Sequence, residues 1–173
     1  MDVAFLVSKE GIEQAELTEP WKAVEHAGHT PRLISPEPGQ VQGYHHLDPA
    51  DRFDVDATAA DASPGDFAAL VLPGGVANGD LLRWQPEAVE FVRGFAALGR
   101  PIAVICHGGW VLIEADAVRG KRLTSWPSLR TDYRNAGATW VDEELVVDGN
   151  LISSRKPDDL PAFCQALVEQ LER

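Results

Sequence analysis

Cysteine is scarce in this chain of 173 residues, which has only Cys106 and Cys164. Two cysteines make no obvious disulfide framework, and no CxxC pair offers the spacing of a zinc site. Basic residues are also few, 15 Lys and Arg against 27 Asp and Glu, for a formal net charge of -12. Without a basic surface to neutralise phosphates, general binding to nucleic acid or to an anionic membrane is not expected. No apolar run is long enough to span a bilayer. The opening MDVAFLVSK has an acid at position 2 and a short apolar run, VAFLV, so a secretory signal is not expected either. The glycine turns LPGG and CHGG lack the lysine of a phosphate loop. These absences together predict a cytoplasmic protein that needs no metal and no cofactor.

The chain does have ample material for a core, with 45% hydrophobic residues, enough for one domain over residues 1–173. Short apolar runs alternate with helix-like segments. VAFLV (3–7), TPRLIS (30–35), FAALVLPGG (67–75) and PIAVIC (101–106) read as buried strands. Residues 12–28 read as a helix that Pro20 should bend or break, and residues 86–99 and 108–120 as further helices. Residues 36–66 suggest a hairpin around VQGYHH and a short strand near RFDVDA. Toward the end come a strand at RLTSW, a helix at PSLRTDYRNAG, paired strands at TWVDEELVVDG and NLISS, and a helix from PDDLPAF onward. This order predicts an α/β fold with a mostly parallel sheet and helices on both faces. Ligands of such sheets bind beyond the carboxyl ends of the strands, where LPGG and CHGG both lie.

Cys106 stands where a strand turns abruptly toward a helix, as in a nucleophile elbow, which presents a nucleophile to a cleft. A helix start there would favour thiolate over thiol. His107 is a candidate base, although successive side chains in an elbow often point apart. Backbone N–H groups at Gly74, Gly75 and Val76 are candidates for an oxyanion hole. Cys164 shares a helix face with Leu167, Val168 and Leu171 and reads as core packing. His45 and His46 precede Asp48, but neighbours on a strand point to opposite faces, so they read as a solvated hairpin. His26 and His29 flank Gly28 at a helix end, where imidazolium complements the dipole.

The stretches IEQAEL, ALVLPGG, PIAVICHG, RGKRLTSWPSLRTDYRNAGATWVDEELVVDGNLISSR and PDDLPAF resemble the DJ-1/PfpI family, in particular its bacterial and archaeal PfpI-like branch. The resemblance runs nearly the whole chain. It implies a flavodoxin-like sandwich, similar to class I glutamine amidotransferases, with Cys106 as nucleophile. It also implies an acid on the first helix, which falls on Glu13, and Glu16 is the less favoured alternative. Such a carboxyl would be protonated beside the thiolate and donate to sulfur. In this branch His107's counterpart joins the site, and a neighbouring subunit supplies a carboxylate whose position matches Asp80. A homodimer is thus the minimum assembly implied, and higher homo-oligomers occur in the branch. The usual CHGPQ run reads CHGGW here, with Gly109 and Trp110 in place of a proline and a smaller polar residue.

The activities the resemblance implies are hydrolytic removal of glyoxal- or methylglyoxal-derived adducts and a related cofactor-free glyoxalase reaction, within a general stress response. The same nucleophile and base would serve a cysteine peptidase acting on peptides. A non-catalytic redox sensor or chaperone, with Cys106 oxidised, is the alternative of another class. Small carbonyl adducts or peptides are therefore the expected partners, alongside further copies of the chain.

Overall fold

The computed structural model describes all 173 residues. Strand β1 (Asp2–Leu6) is followed by a short β2 (Glu10–Glu13) and helix α1 (Gln14–His26). Then come β3 (Thr30–Ser35), the hairpin β4 (Gln40–His45) and β5 (Asp48–Asp54), and β6 (Ala57–Thr58). Strand β7 (Ala69–Leu72) leads into α2 (Val76–Trp84) and α3 (Pro86–Ala97), and β8 (Ile102–Ile105) into α4 (Trp110–Glu114). The last part holds β9 (Arg122–Leu123), α5 (Arg130–Asn135), β10 (Thr139–Trp140), β11 (Leu145–Asp148), β12 (Leu151–Ser154) and α6 (Leu160–Leu171).

Seven strands form the central sheet in the order β11-β12-β8-β7-β1-β3-β6. Only the β11–β12 pair is antiparallel. Every residue of β7, β8 and β12 is buried, because both faces are covered. Successive side chains enter opposite cores. Ala4, Leu6, Leu70, Leu72, Ile102 and Val104 join one apolar cluster with Val92 and Phe95 of α3, and with Val111 and Leu112 of α4. Val3, Phe5, Ala69, Val71, Ala103 and Ile105 join the other, with Leu17 and Val24 of α1 and Phe163 and Leu167 of α6. This is the flavodoxin-like sandwich with helices on both faces. The chain runs from β1 to β3 on one side and resumes at β7 on the other, so the switch point lies beyond the carboxyl ends of β1 and β7.

Four elements differ from the sequence-based expectation. The first helix begins at Gln14, because Glu10–Glu13 instead form β2, parallel to β4 in a separate three-stranded sheet. Glu13 N–H is drawn to the Gly74 carbonyl at 3.2 Å, outside any helix. Pro20 does not break α1, which continues on both sides of it with Pro20 itself buried. Helix α2 was not expected, since VANGDLLRW follows a glycine turn and carries glycine within. The helix expected over 108–120 is only five residues long, Trp110–Glu114. Asp116 adopts φ 54°, and Ala117 N–H bonds the Leu112 carbonyl at 2.9 Å, closing the helix early.

Candidate active site

Cys106 follows β8 directly and has φ 59°, the left-handed region that a side chain adopts only when its surroundings hold it there. The hold is visible in the hydrogen bonds. Cys106 N–H donates to the Ser154 carbonyl at 3.1 Å, Gly108 N–H to the Ile105 carbonyl at 3.0 Å, and Trp126 N–H to the Cys106 carbonyl at 3.3 Å. The strand-to-helix elbow is thus real, although α4 is too short to supply a substantial dipole. Cys106 is only 8% exposed, yet it lies in the wall of a cleft of about 860 Å³ at the sheet's switch point.

The acid against the thiol is Glu16, not Glu13. Helix α1 starts at Gln14, so Glu16 falls in its first turn and points inward, where it is completely buried. Its Oε2 accepts the Gly74 N–H at 2.8 Å, and its carboxyl interacts with the Cys106 thiol. The other oxygen, Oε1, is buried without a further partner. A Cβ on Gly74 would come within 2.2 Å of Glu16 Oε2 and 2.6 Å of Cys106 Cβ, so only glycine lets these groups meet. Burial, reinforced by the negative charge of Glu13, raises the Glu16 carboxyl to about 8, so it is protonated at neutral pH. Glu13 stays at the rim, where its Oε2 accepts the His46 N–H at 3.2 Å.

His107 does not point away from its neighbour. Its Nδ1 lies 3.2 Å from Cys106 Sγ, and its Nε2 lies 3.3 Å from Ser128 Oγ. The ring stacks on Trp126 at 5.9 Å and meets Trp110 edge-on at 5.3 Å. Burial lowers the imidazole, which keeps it neutral and able to accept a proton. Burial also pushes the Cys106 thiol up, and a charge on Glu16 would push it further, while the N–H groups of Gly75 and His107 draw it down. The resting pair is therefore thiol and neutral imidazole. Cys164 differs in kind. It packs against the α1–α6 core, its thiol raised to about 11 by burial and by Glu19.

The glycine turn is divided in its duties. Gly74 N–H is taken by Glu16, so it is withdrawn from the expected oxyanion set. Gly75 N–H faces the Cys106 sulfur, and Val76 opens α2 on the cleft wall. The buried Asn78, which sequence reasoning missed, locks this turn in place. It accepts the Ser8 N–H at 2.8 Å and donates to the Pro73 and Gly74 carbonyls at 3.0 and 3.1 Å. Asp80 lines the cleft of its own chain and pairs with Arg83 at 2.7 Å. Ser128 and Trp126 were also missed. They reach His107 from a segment twenty residues later in the chain, which no local pattern could link to it. The tip of the β4–β5 hairpin is solvated, as expected, with His45, His46 and Leu47 exposed, and its Tyr44, His46 and Leu47 also line one side of the cleft.

The CHGGW departure has a local cause. A Cβ on residue 109 would fall 1.5 Å from the Tyr133 hydroxyl, which is buried against the α4 start without a hydrogen-bond partner. Gly109 and Tyr133 thus share one space. We expect Gly109→Ala to lower stability in denaturant titration. Adding Tyr133→Phe should recover part of the loss, with a coupling of about 0.5–3 kcal/mol. A second expectation concerns Glu16. Its folded-state value lies above the unfolded one, so the folded chain holds this proton more tightly. The stability this contributes is complete below pH 4.5 and is lost as pH rises through about 8. The contribution is on the order of 5 kcal/mol. Glu16→Gln should flatten the pH dependence of unfolding across that window, and an unchanged curve would contradict a protonated Glu16.

Comparison with known proteins places the chain and its fold. The model of the DJ-1/PfpI family matches residues 1–170. Deglycase PfpI of Pyrococcus furiosus is 40% identical over 172 residues, covering 99% of this chain and 100% of its own. General stress protein 18 of Bacillus subtilis is 40% identical over 167 residues, 94% of this chain and 93% of its own. A two-domain protein of Anabaena variabilis with DJ-1/ThiJ/PfpI-like and ferritin-like domains superposes with a TM-score of 0.92 at 35% identity, over 99% of this chain and 50% of that one. The chain belongs to the DJ-1/PfpI family.

Proposed function

We propose that the protein is a cysteine-dependent hydrolase that removes glyoxal- and methylglyoxal-derived adducts from amino and thiol groups. The observation that carries this reading is the convergence of three groups at the foot of one cleft. Cys106 Sγ sits on a strained elbow, His107 Nδ1 stands 3.2 Å away, and the neutral Glu16 carboxyl lies against the thiol. The deglycase relatives support the choice of substrate class.

The thiol bonds to the adduct carbon that bears the amine, and its proton passes to His107 Nδ1. The amine leaves with that proton, which produces a hemithioacetal on Cys106. Shift of hydrogen from this carbon to its neighbour through an enediol converts the hemithioacetal to a thioester of a hydroxy acid. The Glu16 O–H is placed to give and regain the proton in that shift. The N–H groups of Gly75 and Val76 are the remaining donors for the developing oxyanion. Water then cleaves the thioester, releases the hydroxy acid and restores the thiol. Ser128, at Nε2, holds the tautomer in which Nδ1 is the acceptor. No step needs a cofactor.

A homodimer or larger homo-oligomer acting in the cytoplasm under carbonyl or oxidative stress is part of the proposal. The exposed Leu81 and Trp84 of α2, beside Asp80, offer an apolar face for self-association.

The test is lactate release from methylglyoxal adducts of N-acetylated amino acids, run beside a peptide-cleavage assay. The wild-type chain should release lactate and Cys106→Ala should not. The rate should hold as pH falls until below the usual imidazole value of about 6.5, where a lowered His107 takes up its proton. Peptide cleavage without lactate release would replace this reading with a peptidase. Equal turnover by Cys106→Ala would remove the nucleophile.

A further inference from the structure

The cleft above Cys106 has an unusual charge balance for a site that handles small carbonyl compounds. No Lys or Arg is among its lining residues, while Glu10, Glu13 and Asp80 are. Asp80 is neutralised by Arg83, but neither Glu10 nor Glu13 takes part in an ion pair. Glu13 is held in place by the His46 N–H and partly exposed to the cleft, so its carboxylate has lone pairs to spare. Glu16, deeper in, is completely buried with Oε1 unpartnered.

The rings are the second observation. Trp110 and Trp126 flank His107, and Trp126 remains 40% exposed at the cleft wall. The wall already shows how it receives a guanidinium. Arg83 lies 4.5 Å from the Trp110 ring centroid while Asp80 accepts from its Nε and Nη2 at 3.1 and 2.7 Å. Trp110 is itself fixed, since its Nε1–H donates to Asp132 Oδ2 at 2.9 Å. Trp126 and Glu13 supply a second ring and a second carboxylate to the lining of the same cleft, which holds no Lys or Arg of the chain. A net charge of -12 adds a long-range pull on cations.

From this we infer that the cleft selects cationic carbonyl adducts, those carried on guanidinium or ammonium groups, over neutral or anionic adducts such as those on thiols. The positive group of the substrate lies over Trp126 with Glu13 opposite, and this places the carbonyl-derived carbon toward Cys106. Glu13 is then a specificity-determining residue rather than the partner of the thiol. The inference rests on the deglycase reading for its reaction, but the charge preference can be measured without turnover.

The probes are Nα-acetyl-arginine amide and its uncharged isostere Nα-acetyl-citrulline amide, titrated into Cys106→Ser protein by calorimetry. The arginine compound should bind about tenfold or more tightly, with the gap shrinking as salt is added. Glu13→Gln, which keeps the shape and loses the charge, should close most of the gap, and Glu10→Gln should narrow it less. In wild-type protein, kcat/KM for the methylglyoxal adduct of Nα-acetyl-arginine amide should exceed that for the N-acetylcysteine amide adduct by a similar factor. Equal affinity for arginine and citrulline compounds would overturn the inference, as would a gap that survives both Glu13→Gln and high salt. Preferential binding of the arginine compound with no turnover of any adduct would support the charge preference and overturn the deglycase reading instead.

Discussion

The Glu16 carboxyl accepts the Gly74 N–H and lies against the Cys106 thiol, and through these contacts it joins the segments that follow β1, β7 and β8. Such a group cannot be replaced by a charged one at no cost. A carboxylate sealed from water beside a sulfur would be destabilised by burial and by its neighbours, so the proton stays. The turn glycine, the elbow cysteine and the first turn of α1 are therefore mutually dependent. Gly74 must lack a Cβ for the carboxyl to approach, and Cys106 must accept positive φ for its sulfur to face it. Asn78 completes the arrangement by tying the loop after β1 to the same glycine turn.

Protonation then determines how the sulfur is activated. A neutral Glu16 imposes no repulsion on a developing thiolate and can donate to it, while a neutral His107 can take the thiol's proton. Burial drives both groups toward their uncharged forms, as it does the thiol itself. The site at rest thus holds little charge at its base, and in the proposed mechanism the proton moves only when an electrophile arrives. The unpaired charges lie higher, at Glu10 and Glu13 on the rim. In the proposed reading, depth in the cleft separates the groups that perform chemistry from those that select what reaches it.

Much of this was legible in the amino-acid sequence. The apolar runs ending in LPGG and CHGG marked strands buried on both faces and the sheet edge where the site lies. Cys106 at an abrupt turn followed from the same pattern. The acid was harder, because Glu13 and Glu16 both stand near the start of a helix. The choice between them depends on where α1 begins. That in turn depends on the pairing of Glu10–Glu13 with β4, some thirty residues away, and on the bond from Glu13 N–H to Gly74. The shortness of α4 has a local backbone cause, the turn at Asp116, which no apolar periodicity announces. The aromatic wall escaped notice because Trp110, Trp126 and Tyr44 are far apart in sequence and carry no shared spacing. Gly109 was visible as a departure, but its reason, the Tyr133 hydroxyl, lies on another helix.

The most direct test of the central claim is infrared difference spectroscopy of the carboxyl C=O stretch in wild-type and Glu16→Gln protein as pH is raised. The account predicts a protonated-carboxyl band at neutral pH that fades as pH passes about 8 and is missing from the variant. A wild-type spectrum with no such band at neutral pH would mean that Glu16 is ionised beside Cys106. The neutral site described here would then be wrong.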